Sequence, residues 1–275
     1  MMRRINAMEL VGAAMVLSLV MAAVFAPHLA PYDPTRAVAP TYGDPGAPSA
    51  AFPLGTDELG RDVLSRIIWG ARVSLTVGVA AMAITMTIGV AIGLAAGFFG
   101  GAADFALMRF TDVMLTLPAL LLAMAFVAVL HPSLLNVLLV IGLVSWTQVA
   151  RVMRAEALSM TQRDFVTAAR ALGGSPARLI AHHVLPNVTP IIVVMAVLGV
   201  SGTLLLDAGL SFLSLGVPPP TPSWGGMLSD AVTSGMYQTD IALALVPGLA
   251  LVMTMLAFNL LGDGIRDALD PRRGR

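Results

Sequence analysis

The chain has 275 residues, 57% hydrophobic and only 12% charged, with a mean hydropathy of +0.85. Soluble domains are about a quarter charged, so this composition excludes an ordinary soluble fold and marks an integral membrane protein. Zero net charge offers no footprint for nucleic acid, the lack of cysteine excludes disulfides and thiolate metal sites, and all 16 basic residues are arginine, which leaves no lysine for a standard ATP-binding P-loop.

Arg3 and Arg4 precede an apolar run over residues 10–26, slightly shorter than the roughly 20 residues that span a bilayer. The run reads as a retained first span; the alternative is a cleaved signal peptide, because Ala22-Ala23-Val24-Phe25-Ala26 loosely resembles a cleavage region. Both readings leave the next segment on the same, outer side. Residues 27–49 carry Pro27, Pro31, Pro34, Pro40, Pro45 and Pro48 and predict an irregular loop. In residues 53–75, PLGTDELGRDVLSRIIWGARVSL, Thr56-Asp57 can cap a helix entering Glu58, with Val63, Ile67 and Ile68 as its apolar face. The charges of Asp57, Glu58, Arg61, Asp62, Arg66 and Arg72 predict a surface or interfacial segment here, not a span.

Five further apolar segments cover residues 75–98, 114–130, 134–152, 188–206 and 241–261, and the fifth span could extend through Leu213. The connection at His131-Pro132-Ser133 is short enough to make a tight hairpin. Residues 163–187, RDFVTAARALGGSPARLIAHHVLPN, have a helical pattern too polar for lipid. Phe165, Ala168, Ala169 and Leu172 recur at helical spacing, Gly173-Gly174 interrupts, Ser175-Pro176 restarts, and a second short helix runs to about His183. With six spans, Arg3, Arg4, Arg109, Arg151, Arg154, Arg163, Arg170, Arg178, Arg266, Arg272, Arg273 and Arg275 share one side and Arg36, Arg61, Arg66 and Arg72 the other. That asymmetry puts both termini, and residues 163–187, in the cytoplasm.

Thr167-Ala168-Ala169, three residues, Gly173, nine residues and His183-Val184-Leu185-Pro186 resemble the cytoplasmic EAA loop of ABC-importer permeases. Thr167 replaces the family's glutamate and His183 its isoleucine, which puts in doubt a salt bridge from position 167 to an ATPase. LGTDELGRDVLSR with GARVSL, SFLSLGVPPPTPSWGGML over residues 211–228, and PGLALVMTMLAFNLLGDGIRDALDP over residues 247–271 resemble the dipeptide/oligopeptide/nickel branch, most closely its second, shorter permease. The resemblance implies an all-α integral membrane protein of the bacterial cytoplasmic (inner) membrane: six transmembrane helices in the type I ABC-importer permease fold, with cytoplasmic coupling helices. It implies a division into an N-terminal helix and extracytoplasmic segment (1–70), a permease core (71–262) and a cytoplasmic tail (263–275). Asp164, Thr167, Ala168, Ala169, Gly173, Leu185 and Pro186 become the ATPase-coupling loop. The implied partners are a homologous second permease, two ATP-binding subunits, an extracytoplasmic solute-binding protein and the lipid bilayer. A plain amphipathic connector on the lipid surface, with Arg163, Arg170 and Arg178 at anionic headgroups, is the other reading of the loop.

Asp207 lies within an apolar segment, where a carboxylate is costly. It reads as a lining residue of the translocation path, meeting a peptide amine, as a structural partner of a neighbouring helix, or, if the segment ends earlier, as a residue near the outer interface. Trp69 and Trp224 fit interfacial anchors. His182-His183 are adjacent and cannot share a helix face, and the 17 methionines read as core packing. No HExxH, catalytic carboxylate pair or Ser-His arrangement stands out, so no catalytic residue, metal site or cofactor is assigned. The expected function is import of dipeptides or oligopeptides, or of nickel or glutathione-like solutes by the same machinery. The competitor from another class is a proton-coupled secondary transporter using Asp207.

Overall fold

The computed structural model describes residues 7–39, 46–238 and 240–269. Arg3, Arg4, Arg272, Arg273 and Arg275 of the arginine asymmetry, and Pro40 and Pro45 of the loop, lie outside them. The described chain is helical: α1 (Ala7–Val24), a turn of helix α2 (Ala26–Leu29), α3 (Val63–Phe99), α4 (Gly101–Thr116), α5 (Ala119–Leu130), α6 (Leu134–Thr161), α7 (Asp164–Ala171), α8 (Pro176–Leu179), α9 (Leu185–Phe212), α10 (Trp224–Thr233) and α11 (Ala242–Leu269). Four helical stretches, 63–99, 134–161, 176–212 and 242–269, are long and apolar enough to cross a membrane, and α4 with α5 makes a fifth candidate bent by 86°.

α3 and α6 form the central pair and run parallel. Gly89, Gly93 and Gly97 recur every fourth residue along one face of α3, and a Cβ on Gly93 would sit 2.5 Å from the Ala150 carbonyl oxygen of α6. Where lipid is as apolar as the side chains, helices associate through close van der Waals packing, which small residues permit. Gly142 answers from α6, against Ile84. Around this pair Met82, Met86, Val149, Met153, Val200 and Leu204 make the main buried cluster. α1 packs antiparallel on α11, with Gly12 against Leu260 and Leu261 and Gly264 against Glu9. α11 in turn runs antiparallel to α9, where the Ser201 hydroxyl donates to the Met255 carbonyl at 3.1 Å. The start of α1, the ends of α6 and α11, and α7 therefore share one end of the bundle.

Local chemistry sets the breaks. Leu117 is extended (φ −94°, ψ 129°), as a residue before proline prefers, and the chain turns there between α4 and α5. At the hairpin from α5 to α6, Ser133 caps α6 by accepting from Asn136 N, and the Asn136 amide donates to the Leu130 and His131 carbonyls at 2.8 and 3.0 Å. Pro190 and Pro247 break nothing: each sits inside a continuous helix.

Residues 53–75 differ from expectation. No separate interfacial helix enters at Glu58. Asp62, not Thr56 or Asp57, caps the helix, accepting from Ser65 N at 2.8 Å, and that helix is already the long α3. Asp57 instead accepts from Leu59 N and Arg61 N and binds two arginines, so Arg61 and Arg66 are buried, and Asp62 is buried against Ser65. Trp224 is likewise no interfacial anchor: it is 1% exposed, its indole donating to the Ile67 carbonyl at 3.0 Å. α3 passes through residues 70 and 71, and α11 through 262 and 263, without interruption.

Candidate functional site

The segment after α6 ends in a free helix. Arg163 is extended (φ −73°, ψ 142°), which stops α6 and starts α7 with Asp164 in its first turn. Of α7 only Val166 is fully buried. Phe165, Ala168 and Leu172, three of the four residues of the expected apolar face, are exposed, Leu172 at 90%. Ala169 is half-buried, and Asp164 and Thr167 are exposed. The Thr167 hydroxyl turns back to the Arg163 carbonyl at 3.3 Å.

α7 closes with a Schellman arrangement. Gly173 N donates to the Arg170 carbonyl at 3.0 Å and Gly174 N to that of Ala169 at 3.1 Å, with Gly173 at φ +84°. A Cβ on Gly173 would meet nothing within 4 Å. The glycine is therefore needed for its left-handed backbone, not for space.

The second expected helix is not free. Ser175 caps α8, which passes through a π-helical turn at Ile180–Val184 straight into α9. Pro186, exposed in the first turn of α9, has no N–H to continue the usual ladder, and a widened turn precedes it. Leu179 and Val184 are buried and Leu185 half-buried, so these residues anchor α9, and only α7 projects. The Phe165 ring lies 6.4 Å from that of His183, linking α7 to the π turn.

At the opposite end, where the sequence predicts surface charge, is an ionic cluster. Oδ2 of Asp57 lies 2.7 Å from Arg61 Nε and 3.3 Å from Arg66 Nε. Arg66 also donates to the Pro34 carbonyl at 3.3 Å and reaches Asp230 of α10 at 3.7 Å. Burial raises the Asp230 carboxyl above its ordinary range, against the pull of Arg66 and Arg61. The i, i+4 spacing of Asp57 and Arg61 was the available signal.

Between these ends a cavity of about 630 Å³ opens at the break between α4 and α5, walled by α3, α6 and α9. Its polar lining comes from Thr85, Ser145, Thr147, Gln148 and Thr203, and among the described residues no charged side chain lines it. Thr85 and Thr203 are turned to the carbonyls of Gly142 and Gly78, at 3.4 and 2.8 Å. Asp207 is absent from the lining: it is 1% exposed, and its Oδ1, like the hydroxyl of Ser211 one turn on, has no hydrogen-bond partner. Among the described residues no three His, Asp or Glu side chains group as metal ligands.

Comparison with known proteins adds the lineage. The model of the binding-protein-dependent transport system inner membrane component matches residues 89–275, and that of the N-terminal TM domain of oligopeptide transport permease C matches residues 4–48. A di/tripeptide transport system permease protein of Pseudomonas aeruginosa is 44% identical over 267 residues, covering 95% of this chain and 87% of its own. A dipeptide transport system permease protein of Haemophilus influenzae is 39% identical over 273 residues, covering 97% and 91%. A glutathione transport system permease protein of Pectobacterium atrosepticum is 40% identical over 261 residues, covering 94% and 84%.

Proposed function

The chain belongs to the family of binding-protein-dependent transport system inner membrane components, and from that membership we propose that it carries dipeptides or short oligopeptides across the cytoplasmic membrane as one permease of an ABC importer. It is a multi-pass transport permease and not a catalytic subunit. A homologous second permease completes the path, two separate ATP-binding subunits hydrolyse ATP, and a solute-binding protein delivers substrate outside. In this reading α1 and the bent α4–α5 pair each count as one span, giving six, and both termini face the cytoplasm.

The observation that carries the reading is α7. Its apolar residues Phe165, Ala168 and Leu172 are exposed among the described residues, Phe165 touching only the edge of the π turn at His183, on a short helix held out by a glycine turn beside the arginines Arg163, Arg170 and Arg178. A helix presented this way fits a groove on an ATP-binding subunit, and its displacement as a unit would tilt α6 and α9 on either side. Thr167, self-satisfied through Arg163, contributes no ion pair, so this docking relies on apolar contact. Asp164, Ala168, Ala169 and Gly173 shape the docking helix, while Leu185 and Pro186 belong to its connection with α9.

Proteoliposomes test this directly. ATP-dependent uptake of a dipeptide should require the second permease, both ATP-binding subunits and the binding protein. Uptake by this chain alone, driven by a proton gradient, would establish the secondary-transporter reading instead. A cavity without charged lining among the described residues argues against that alternative, as does the seclusion of Asp207, which we take as a structural residue packed inside the bundle. Glutathione-like solutes remain a second reading, supported by relatives named for glutathione transport.

A further inference from the structure

The cavity at the α4–α5 break has a composition that the transport reading does not require. We propose that Ser145, Thr147 and Gln148 form a charge-blind contact site for the passing solute, binding it through its amide groups and not through its charges. This rests on the peptide-importer reading and names how the permease itself handles the substrate.

Three observations meet here. First, none of these three side chains has a hydrogen-bond partner within the described protein, whereas Thr85 and Thr203 in the same cavity are engaged by backbone carbonyls. Ser145 and Gln148 stand one turn apart on α6, and Gln148 is exposed near the helix midpoint. An amide at that depth, if turned to hydrocarbon, would lose several kcal/mol of solvation, so it requires water, solute or a polar partner. Second, about 630 Å³ suits a small-molecule site, and the rest of the wall is apolar, with Met82, Met114 and Met195 supplying adaptable thioethers. Third, the polar groups are all neutral. Hydroxyls and a carboxamide both donate and accept, matching the N–H and C=O of a peptide bond whatever side chains flank it.

The absence of charge has a functional consequence. A fixed carboxylate or guanidinium at mid-membrane would hold one peptide terminus and slow its release, whereas neutral hydrogen bonds permit entry and exit. This chain's share of the path then adds little charge selectivity to that imposed by the binding protein.

The test uses the whole importer in proteoliposomes: both permeases, both ATP-binding subunits and the binding protein. ATP-driven uptake of alanyl-alanine, lysyl-alanine and glutamyl-alanine is measured beside binding-protein-stimulated ATP hydrolysis. Gln148→Glu should shift the ratio of lysyl-alanine to glutamyl-alanine uptake towards the cation by about tenfold relative to wild type, the effect of one modest ion contact in a low-dielectric site. Gln148→Leu should lower uptake of all three solutes by similar factors while stimulated hydrolysis persists. Should Gln148→Glu lose stimulated hydrolysis, Ser145→Asp, one turn away, carries the same expectation. An unchanged ratio in a carboxylate variant that still hydrolyses ATP and transports overturns the inference and leaves the importer reading intact. Wild-type hydrolysis without uptake of any of the three removes the peptide reading and this inference with it.

Discussion

Nε of Arg66 lies 3.3 Å from Oδ2 of Asp57, joining the first turn of α3 to the loop that precedes it. The pair is nearly closed to solvent, at 4% and 15% side-chain exposure, and Asp57 also holds Arg61. Removing one partner of a buried pair strands the other, so Asp57→Asn should destabilise the protein by about 3 kcal/mol. Thermal unfolding in detergent reads this as a clear fall in Tm.

Asp230 should behave differently, because its contact to Arg66 is longer, 3.7 Å, and its side chain is 43% exposed. Its folded-state carboxyl titrates above the ordinary range, through burial first. The stability that this shift contributes is present below the unfolded carboxylate pKa and lost as pH rises through the raised folded value. Asp230→Asn abolishes that loss, so the variant's Tm relative to wild type should be higher at neutral than at mildly acidic pH. A pH series on both proteins checks the sign.

Gly173 occupies φ +84° with open space around its Cβ position. Gly173→Val should distort the end of α7 and abolish ATP-driven uptake while membrane insertion persists, because a β-branched residue is strained by about 1–2 kcal/mol in this region. Asn tolerates the left-handed conformation, so Gly173→Asn should retain uptake. Transport assays paired with membrane-fraction immunoblots separate these outcomes, and normal uptake by Gly173→Val would remove α7's coupling role.

Leu172 is 90% exposed and supports nothing within the chain. Leu172→Ala should change stability by no more than about 0.5 kcal/mol. Its effect belongs to assembly: co-purification with the ATP-binding subunits should weaken by about tenfold, as for a small contact hot spot. Equal affinity of both proteins for those subunits would place the docking elsewhere.

Asp207→Asn keeps the volume and polarity of a buried side chain but no titrating proton. ATP-driven uptake should stay close to wild type, whereas a proton relay would stop. Asp207→Ala should lower stability by about 1–2 kcal/mol through lost packing. Uptake at several imposed proton gradients and Tm together separate a relay from a structural residue.

Prolines illustrate what the sequence could not convey. Pro118, Pro190 and Pro247 look alike in apolar runs, yet only the first sits at a break, between α4 and α5. Whether a proline interrupts a span depends on how neighbours accommodate the freed carbonyl, a tertiary property. The charges from Asp57 to Arg66 misled for a similar reason. Charge normally means surface, but Asp57 satisfies two arginines at once and lets all three retreat. The cavity was also invisible, because Ser145, Thr147 and Gln148 become a site only through the turn at Leu117-Pro118 and the approach of α9. By contrast, the four-residue glycine period of α3 was present in the sequence, and its meaning became visible against Ala150 and Val149.

The sequence alone determined the solvent and the lineage. Composition required a membrane protein, the missing lysine excluded a P-loop within the chain, and local motifs marked both the family and the glycine turn after α7. These are properties of residue type and short-range spacing. Tertiary structure decided which faces are covered. Phe165, Ala168, Ala169 and Leu172 form one apolar stripe in the sequence, but of α7 only Val166 is sealed inside, and the stripe stays exposed apart from half-buried Ala169 and the contact of Phe165 with His183. The sequence leaves Asp207 as a path-lining carboxylate, a structural residue or a residue near the outer interface; in the fold it is 1% exposed and outside the cavity lining. Burial is a relation between segments distant in sequence, and no periodicity within one helix specifies which neighbour arrives.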